Sequence, residues 1–204
     1  MTPVWTQVTD RVFVTTVEPH AVNVGLIVGD TAAMLVDSGN TAEQGAELLA
    51  SATERAGVPV THVIVTHDHG DHSGGVAGMD GVTSIAHENL TAFEPTRGFS
   101  MAVAVDLGDQ RVEMVNFGDA HTRSDVIVFV PGERVIFAGD LLEQGGDPQV
   151  DETTSLSNWP TVLDGVLGQA RTRPGSSPAT APSSTATSPS SSAPRSRCST
   201  ARPR

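Results

Sequence analysis

The chain has 204 residues, enough for one domain with a substantial core, and carries 24 acidic against 12 basic groups, every basic one an arginine. Residues 1–173 hold 24 acidic against 8 basic groups, a formal charge of −16, and such a surface repels phosphate backbones and anionic lipid, so nucleic-acid and membrane partners are not expected. One cysteine, Cys198, excludes an internal disulfide framework or thiolate cage, and with no leader-like start and no apolar run of spanning length a cytoplasmic protein is expected.

Trp5–Thr9 and Arg11–Thr16 read as short strands joined at Asp10, and Val22–Val28 and Ala32–Val36 as a second pair turned at Gly29-Asp30. The second pair ends at Asp37-Ser38-Gly39-Asn40. Thr41 reads as the N-cap of a helix over Glu43–Ala56, with Ala46, Leu49, Ala50 and Thr53 on one face and Gly57 and Pro59 as its stop. Val60–Val65 is a β-branched run that reads as a buried strand. Thr83–Ala86 suggests a short strand and His87–Phe93 a short helix. Four more strands are expected at Met101–Leu107, Arg111–Phe117, Asp125–Val130 and Arg134–Ala138, then a helix over Asn158–Ala170 with Pro160 in its first turn. Strands in runs, interrupted by helices that must cover a sheet face, point to a layered α/β sandwich over residues 1–173. From Pro174 the chain holds Ser, Pro, Ala, Thr and Arg but no acidic residue and no Val, Leu, Ile or Phe, so residues 174–204 are expected to be a disordered tail.

The densest chemistry lies in His67-Asp68-His69-Gly70-Asp71-His72, directly after the Val60–Val65 strand. Three imidazoles and two carboxylates in six positions favour a divalent cation, with neutral His and ionised Asp as ligands. Gly70 and Gly74-Gly75 break regular structure, so the histidines belong to a loop at a strand's end. His121, in Gly118–Thr122, and Asp140, in Phe137–Leu141, also stand at strand ends, where a folded sheet can gather ligands from distant sequence.

The run His67–His72, followed in order by His121 and Asp140, resembles the metallo-β-lactamase superfamily of metal hydrolases over roughly residues 4–173. The resemblance implies a four-layered αββα sandwich with a two-metal site between its sheets. By position, His67, His69 and His121 would hold the first metal, Asp71 and His72 the second, and Asp140 would bridge them. Asp37 would support the loop through hydrogen bonds, and Asp71 would orient the nucleophile and carry a proton to the leaving group. A three-imidazole zinc site leaves an open position and lowers the pKa of its water to about 7, and a paired cation ~3.5–4 Å away can share the hydroxide.

The family usually adds one more histidine in a Pro-Gly-His-Gly turn after the last helix, whereas this sequence has no His after His121. At that place stands Ser177-Pro178-Ala179-Thr180-Ala181-Pro182-Ser183-Ser184. Coded TCC CCG GCC ACG GCC CCG TCG TCG and read from the third base, these residues become Pro-Gly-His-Gly-Pro-Val-Val. On those assumed codons the tail reads as a frame-shifted continuation, the alternative being a native disordered tail in a divergent member, and the sandwich is expected to be incomplete at its C-terminal end. One tight zinc and one weakly held second ion are expected, with iron or manganese as the alternatives.

The expected function is a zinc hydrolase that turns a metal-bound hydroxide on an ester, thioester, amide or related small-molecule bond. His69, where redox members of the family carry Glu, argues against a diiron flavoprotein partner. Asp140 in place of a cysteine, and the absence of Lys, argue against a typical antibiotic-degrading enzyme. The absence of Tyr removes the phenol of the quorum-signal lactonases, and no basic glutathione-binding end is evident for a thioesterase of the glyoxalase II type. An iron-dependent persulfide dioxygenase-like oxidoreductase and a non-catalytic metal-binding remnant are the competing readings. His20, His62, His87, Trp5 and Trp159 read as structural or solvent-facing, and Phe93 and Phe99 as equally open candidates for a pocket wall.

Overall fold

Successive residues of a strand face opposite ways, and in this chain both faces of both sheets meet apolar partners, which forces a four-layer stack. The computed structural model describes residues 3–143, 147–171 and 179–180. The first sheet holds β1 (Thr6–Gln7), β2 (Val12–Val17), β3 (Val22–Val28), β4 (Ala33–Val36), β5 (Val60–Ile64), β6 (Thr83–His87) and β7 (Arg97–Phe99), in that spatial order. Its β1–β4 half is antiparallel and its β4–β7 half parallel. The second sheet runs from β8 (Ala102–Asp106) through β9 (Arg111–Val115), β10 (Ile127–Val130) and β11 (Val135–Phe137) to β12 (Ala179–Thr180), which pairs parallel with β11. The helices are α1 (Ala42–Ala56), the single turn α2 (Gly70–Ser73) and α3 (Trp159–Arg171).

Met34, Val36, Ile27 and Ile64 of the first sheet pack against Val112, Met114, Val128 and Val130 of the second, closing the centre of the molecule. The alternate residues Ala33, Leu35 and Val63 turn outward onto Leu48 and Ala52 of α1. On the far side Ile127 and Phe129 meet Trp159, Val162 and Val166 of α3. Helix, sheet, sheet, helix is thus the αββα sandwich.

Three details differ from the sequence-based reading. Helix α1 is capped by Thr41, whose side chain accepts from the Gln44 amide, but it buries Gly45, Leu48 and Ala52 while Ala46, Ala50 and Thr53 stay exposed. The helix turns that way because Gly45 lies against the Gly75 backbone, where a Cβ would sit 1.9 Å from the Gly75 carbonyl oxygen. No helix forms over His87–Phe93: His87 ends β6, and the Asp68 carboxylate takes the Thr91 and Ala92 amides that a helix would have used. The glycine-rich stretch after His69, expected as loop alone, includes the turn α2. Of the tail expected over 174–204, only Ala179–Thr180 fall within the described residues, and the rest of the inferred frame-shifted segment Ser177–Ser184 lies outside them. Among the described residues no helix is long and apolar enough to cross a membrane.

The topology sets up one edge. β4 and β5 are parallel with Val36 opposite Ile64, so both deliver the residues that follow, Asp37 on one strand and Val65-Thr66 on the other, to the same end. The Asp37 amide donates to the Ile64 carbonyl (2.8 Å), and the Val126 amide of the second sheet donates to the Thr66 carbonyl (2.7 Å). That last bond stitches the two sheets together where the histidines begin.

Candidate metal centre

Asp37 leaves β4 with φ 67°, a left-handed conformation that Asp tolerates better than most residues. Its buried carboxylate accepts from the Thr66 amide (2.8 Å), from the Thr66 hydroxyl (2.9 and 3.0 Å) and from His72 Nδ1 (2.9 Å). The α2 turn swings His72 back under the loop, where the Ser38 hydroxyl donates to its carbonyl (2.8 Å). His121 enters on the β9–β10 connection, held by Asp125, which accepts from the Ala120 and Thr122 amides and the Thr122 hydroxyl. Burial pushes the Asp125 carboxyl up to about 6, against the pull of these Thr122 and Ala120 bonds. Asp140 follows β11 on a short 3-10 turn, Gly139–Leu141.

The rings of His67, His69 and His121 form a near-equilateral triangle, with centroids 4.8, 4.8 and 4.7 Å apart. His67 also lies 4.1 Å, centroid to centroid, from His72. Asp140 spans the two groups: its oxygens stand 3.4 Å from His72 Nε2, 3.9 Å from His67 Nε2 and 4.0 Å from His121 Nε2. Among the described residues, two constellations could hold a cation, His67 with His69 and His121, and His67 with His72 and Asp140. Asp71 belongs to neither set, its carboxylate standing 3.9 Å from His72 Nε2 and partly exposed.

Hydrogen bonding then decides which nitrogen of each ring carries its proton. The Thr66 hydroxyl donates to Asp37 and so accepts from His67 Nδ1–H (3.0 Å). His72 Nδ1–H donates to Asp37, His121 Nδ1–H to the Gln149 carbonyl (3.2 Å), and His69 Nε2–H to Asp151 (3.0 Å). With each outer nitrogen committed, the inner ones of the neutral rings offer lone pairs to the centre. His67 Nε2 and His72 Nε2 are buried without a hydrogen-bond partner, and an orphaned buried nitrogen is costly unless something else satisfies it. His121 Nε2 and His69 Nδ1 face each other at 3.1 Å. Two lone pairs cannot hydrogen-bond, so in these tautomers the pair calls for a cation between them. The residues present therefore fit a divalent metal.

The electrostatics divide the rings. His67 is held well below the ordinary histidine range by burial and then by repulsion from His72, His121 and His69. Burial lowers His121 as well, partly offset by Asp140. Burial also opposes charge on His72, but the Asp37 and Asp140 carboxylates outweigh it and raise its pKa.

No signal in the sequence singles out Thr66, Asp125, Gln149 or Asp151. Gln149 acts through its carbonyl, which no side chain announces, and Asp151 lies in an irregular stretch with no periodicity. Asp68, by contrast, spends its carboxylate on Thr91 and Ala92 and not on the centre. Asp37 is where a loop support was expected. His87 bonds through both ring nitrogens, to the Ser100 carbonyl and the Asn89 amide. Phe99 packs on the inter-sheet core, and Phe93 on Val65, Ala86 and Leu90. Trp159 sits against His121, ring to ring at 5.6 Å.

The sequence matches the family model of the metallo-beta-lactamase superfamily over residues 17–91 and 102–192, most of the chain. The chain belongs to the metallo-β-lactamase superfamily. A metallo-beta-lactamase type 2 from Bacteroides fragilis is 25% identical over 158 residues, which is 69% of this chain and 61% of that relative. A hydroxyacylglutathione hydrolase from Rhodopseudomonas palustris is 30% identical over 154 residues, 69% of this chain and 56% of that relative. The chain thus spans less than two thirds of the length of these curated relatives. Among solved structures, a metallo-beta-lactamase from Pontibacter korlensis superposes with a TM-score of 0.77 at 22% identity, covering 90% of this chain and 91% of that one. The metallo-beta-lactamase FIM-1 from Pseudomonas aeruginosa, solved in a mono-zinc form, gives 0.70 at 20% identity, with 83% and 84% covered. These likenesses establish the superfamily's sandwich, and they reach relatives of two different reported activities.

Proposed function

We propose that this member of the metallo-β-lactamase superfamily is a zinc-dependent hydrolase of a small ester, thioester, amide or related bond. The observation that carries the reading is the convergence of His67 Nε2, His69 Nδ1 and His121 Nε2, with the far nitrogen of every ring tied outward. When bound there, a divalent cation supplies Lewis-acid polarisation and lowers the pKa of water to about 7. The chain's own groups do the rest. Asp140 faces both constellations, between His72 on one side and His67 and His121 on the other. Asp71 reaches from His72 toward solvent, a position from which a carboxylate can orient a water and pass a proton to a leaving group.

His67, His69 and His121 would hold a first ion tightly. His72, Asp140 and Asp71 would hold a second more weakly, because the sequence supplies no histidine after His121 to complete that set. The net negative charge favours a small-molecule substrate over nucleic acid, and a cytoplasmic setting accords with the lone cysteine. The type 2 metallo-beta-lactamase and the hydroxyacylglutathione hydrolase above both support hydrolysis, although this chain has no Lys and carries Asp140 where a cysteine is expected of the first branch, and no basic end of the kind expected of the second is evident.

Elemental analysis of the purified chain, combined with a panel of ester, thioester, β-lactam and phosphodiester substrates with and without added zinc, tests the proposal. Zinc-dependent turnover of one class, lost in H121A, is expected. Iron content with oxygen consumption on a persulfide would instead establish the dioxygenase reading, and a tight zinc with no turnover would leave a metal-binding remnant.

A further inference from the structure

Residues 149–155 form a strap that hydrogen-bonds to two of the four clustered histidines, His69 and His121. The Gln149 carbonyl accepts from His121 Nδ1 (3.2 Å), the Thr154 hydroxyl donates to the His121 carbonyl (2.9 Å), and the Ser155 amide donates to the Ala120 carbonyl (2.8 Å). Asp151 divides its carboxylate between two tasks. Oδ1 accepts from the Thr153 amide and hydroxyl, both at 2.7 Å, which locks its own turn. Oδ2 accepts from His69 Nε2 at 3.0 Å. A side chain fixed at one oxygen presents the other in a set direction, so the rotamer of Asp151 is chosen before His69 meets it. His69 needs such an anchor more than its neighbours do. His67 and His72 are buried and referred back to Asp37, whereas the His69 side chain is 30% exposed and its Nδ1 must face His121 Nε2.

We propose that Asp151 is a positioning residue: seated on its Thr153 turn, it fixes the His69 ring from outside and thereby sets the cation affinity of the His67–His69–His121 cluster, leaving the His72–Asp140 cluster alone. This rests on the reading of that cluster as a metal site. A carboxylate behind a coordinating imidazole aligns the ring and raises its basicity, and the loss of such a partner costs ~10–100-fold in metal affinity. The corresponding carboxylate for His72 is Asp37, built into a core strand end. Asp151 performs the same service from a surface strap, on a ring that only the three-histidine cluster contains.

The test is zinc affinity by competition with a chromophoric chelator on the full chain, with the absorption spectrum of the Co2+-loaded protein as a second readout. D151N is expected to weaken the tight ion ~10–100-fold and shift the Co2+ bands, with D151E recovering part of the loss and E152Q behaving as wild type. The metal-free urea midpoint should be unchanged, which a role confined to folding would not allow. Should D151N fold poorly, T153A, which loosens only the turn, should give a smaller loss in the same direction. Wild-type affinity and spectrum in D151N, or in a folded T153A, would overturn the assignment of Asp151. No tight ion in the wild type would instead overturn the metal-site reading itself.

Discussion

The two clusters share His67 yet are built on opposite electrostatic terms. In the three-histidine cluster, burial and then repulsion from its neighbours hold the His67 pKa down, and burial lowers that of His121. A cation arriving there meets little proton competition at those two rings. The His72–Asp140 cluster is a carboxylate-rich niche in which Asp37 and Asp140 raise the His72 pKa despite its burial. A cation arriving there competes with that raised proton affinity, and metal affinity falls by whatever the competition costs. The difference shows that donor count alone does not rank two metal sites. The carboxylates that attract a second ion also hold the proton that competes with it.

The severest way to break this contrast is to remove the group that serves both sides. Asp37 carries the Thr66 amide, the Thr66 hydroxyl that orients His67, and His72 itself. D37A leaves the buried Thr66 donors unpaired and takes from His72 the nearer of its two carboxylates, a loss of ~3–5 kcal/mol for a broken buried pair. Urea unfolding of the metal-free protein should show a loss of that size, with neither cluster retaining a tight ion. A cost below ~1 kcal/mol, the range of an exposed pair, would mean that Asp37 is not the keystone.

A smaller intervention separates the clusters. H121A takes one of three imidazoles from the three-histidine cluster and should lower its affinity beyond the ~10–100-fold expected from losing an outer partner. H72A should leave one tight ion in place while abolishing the second. Equilibrium dialysis against zinc reads both. Equal loss of tight binding in the two variants would show that the ions are held as one unit and that the contrast is false.

What can be read from the sequence tracks where the information resides. The ligand constellation is legible because six titratable groups at strand ends are improbable as surface decoration, and β-branched runs mark the strands. The supporting bonds are not. Gln149 works through a carbonyl, Asp151 and Asp125 look like ordinary loop acids, and Thr66 acts only once β4 and β5 are aligned in parallel. The buried face of α1 escapes the sequence for a related reason. Apolar spacing counts side chains, yet the closest approach in that helix is made by Gly45, which has none.

That contact provides the third prediction. Gly45 presses on Gly75, whose amide donates to the Gly39 carbonyl, so α1 is seated directly on the loops that frame α2 and His72. G45A should cost ~1–3 kcal/mol by overpacking and weaken the second cluster more than the first. In α3, a Cβ added at Gly168 would meet nothing within 4 Å, and G168A should instead stabilise by up to ~1 kcal/mol through helix propensity, with no effect on metal binding. Opposite signs in thermal unfolding are required, and a neutral G45A would show that the α1 seat does not matter.

The smallest effect expected concerns a histidine outside both clusters. His62, on β5, has its pKa lowered by burial and then by Arg97. Its neutral form is therefore preferred in the fold, while the unfolded chain takes up a proton near the ordinary value of ~6.5. Stability rises with pH wherever the unfolded state binds more protons. His62 thus costs nothing above ~7 and becomes a liability as pH falls from ~6.5 toward its depressed folded value. Subtracting the pH–stability profile of H62Q from that of the metal-free wild type cancels the clustered histidines common to both. The difference should be flat above neutrality and shift in favour of H62Q on acidification. A difference that stays flat down to pH ~5 would mean that His62 gains its proton as readily in the fold as in the unfolded chain.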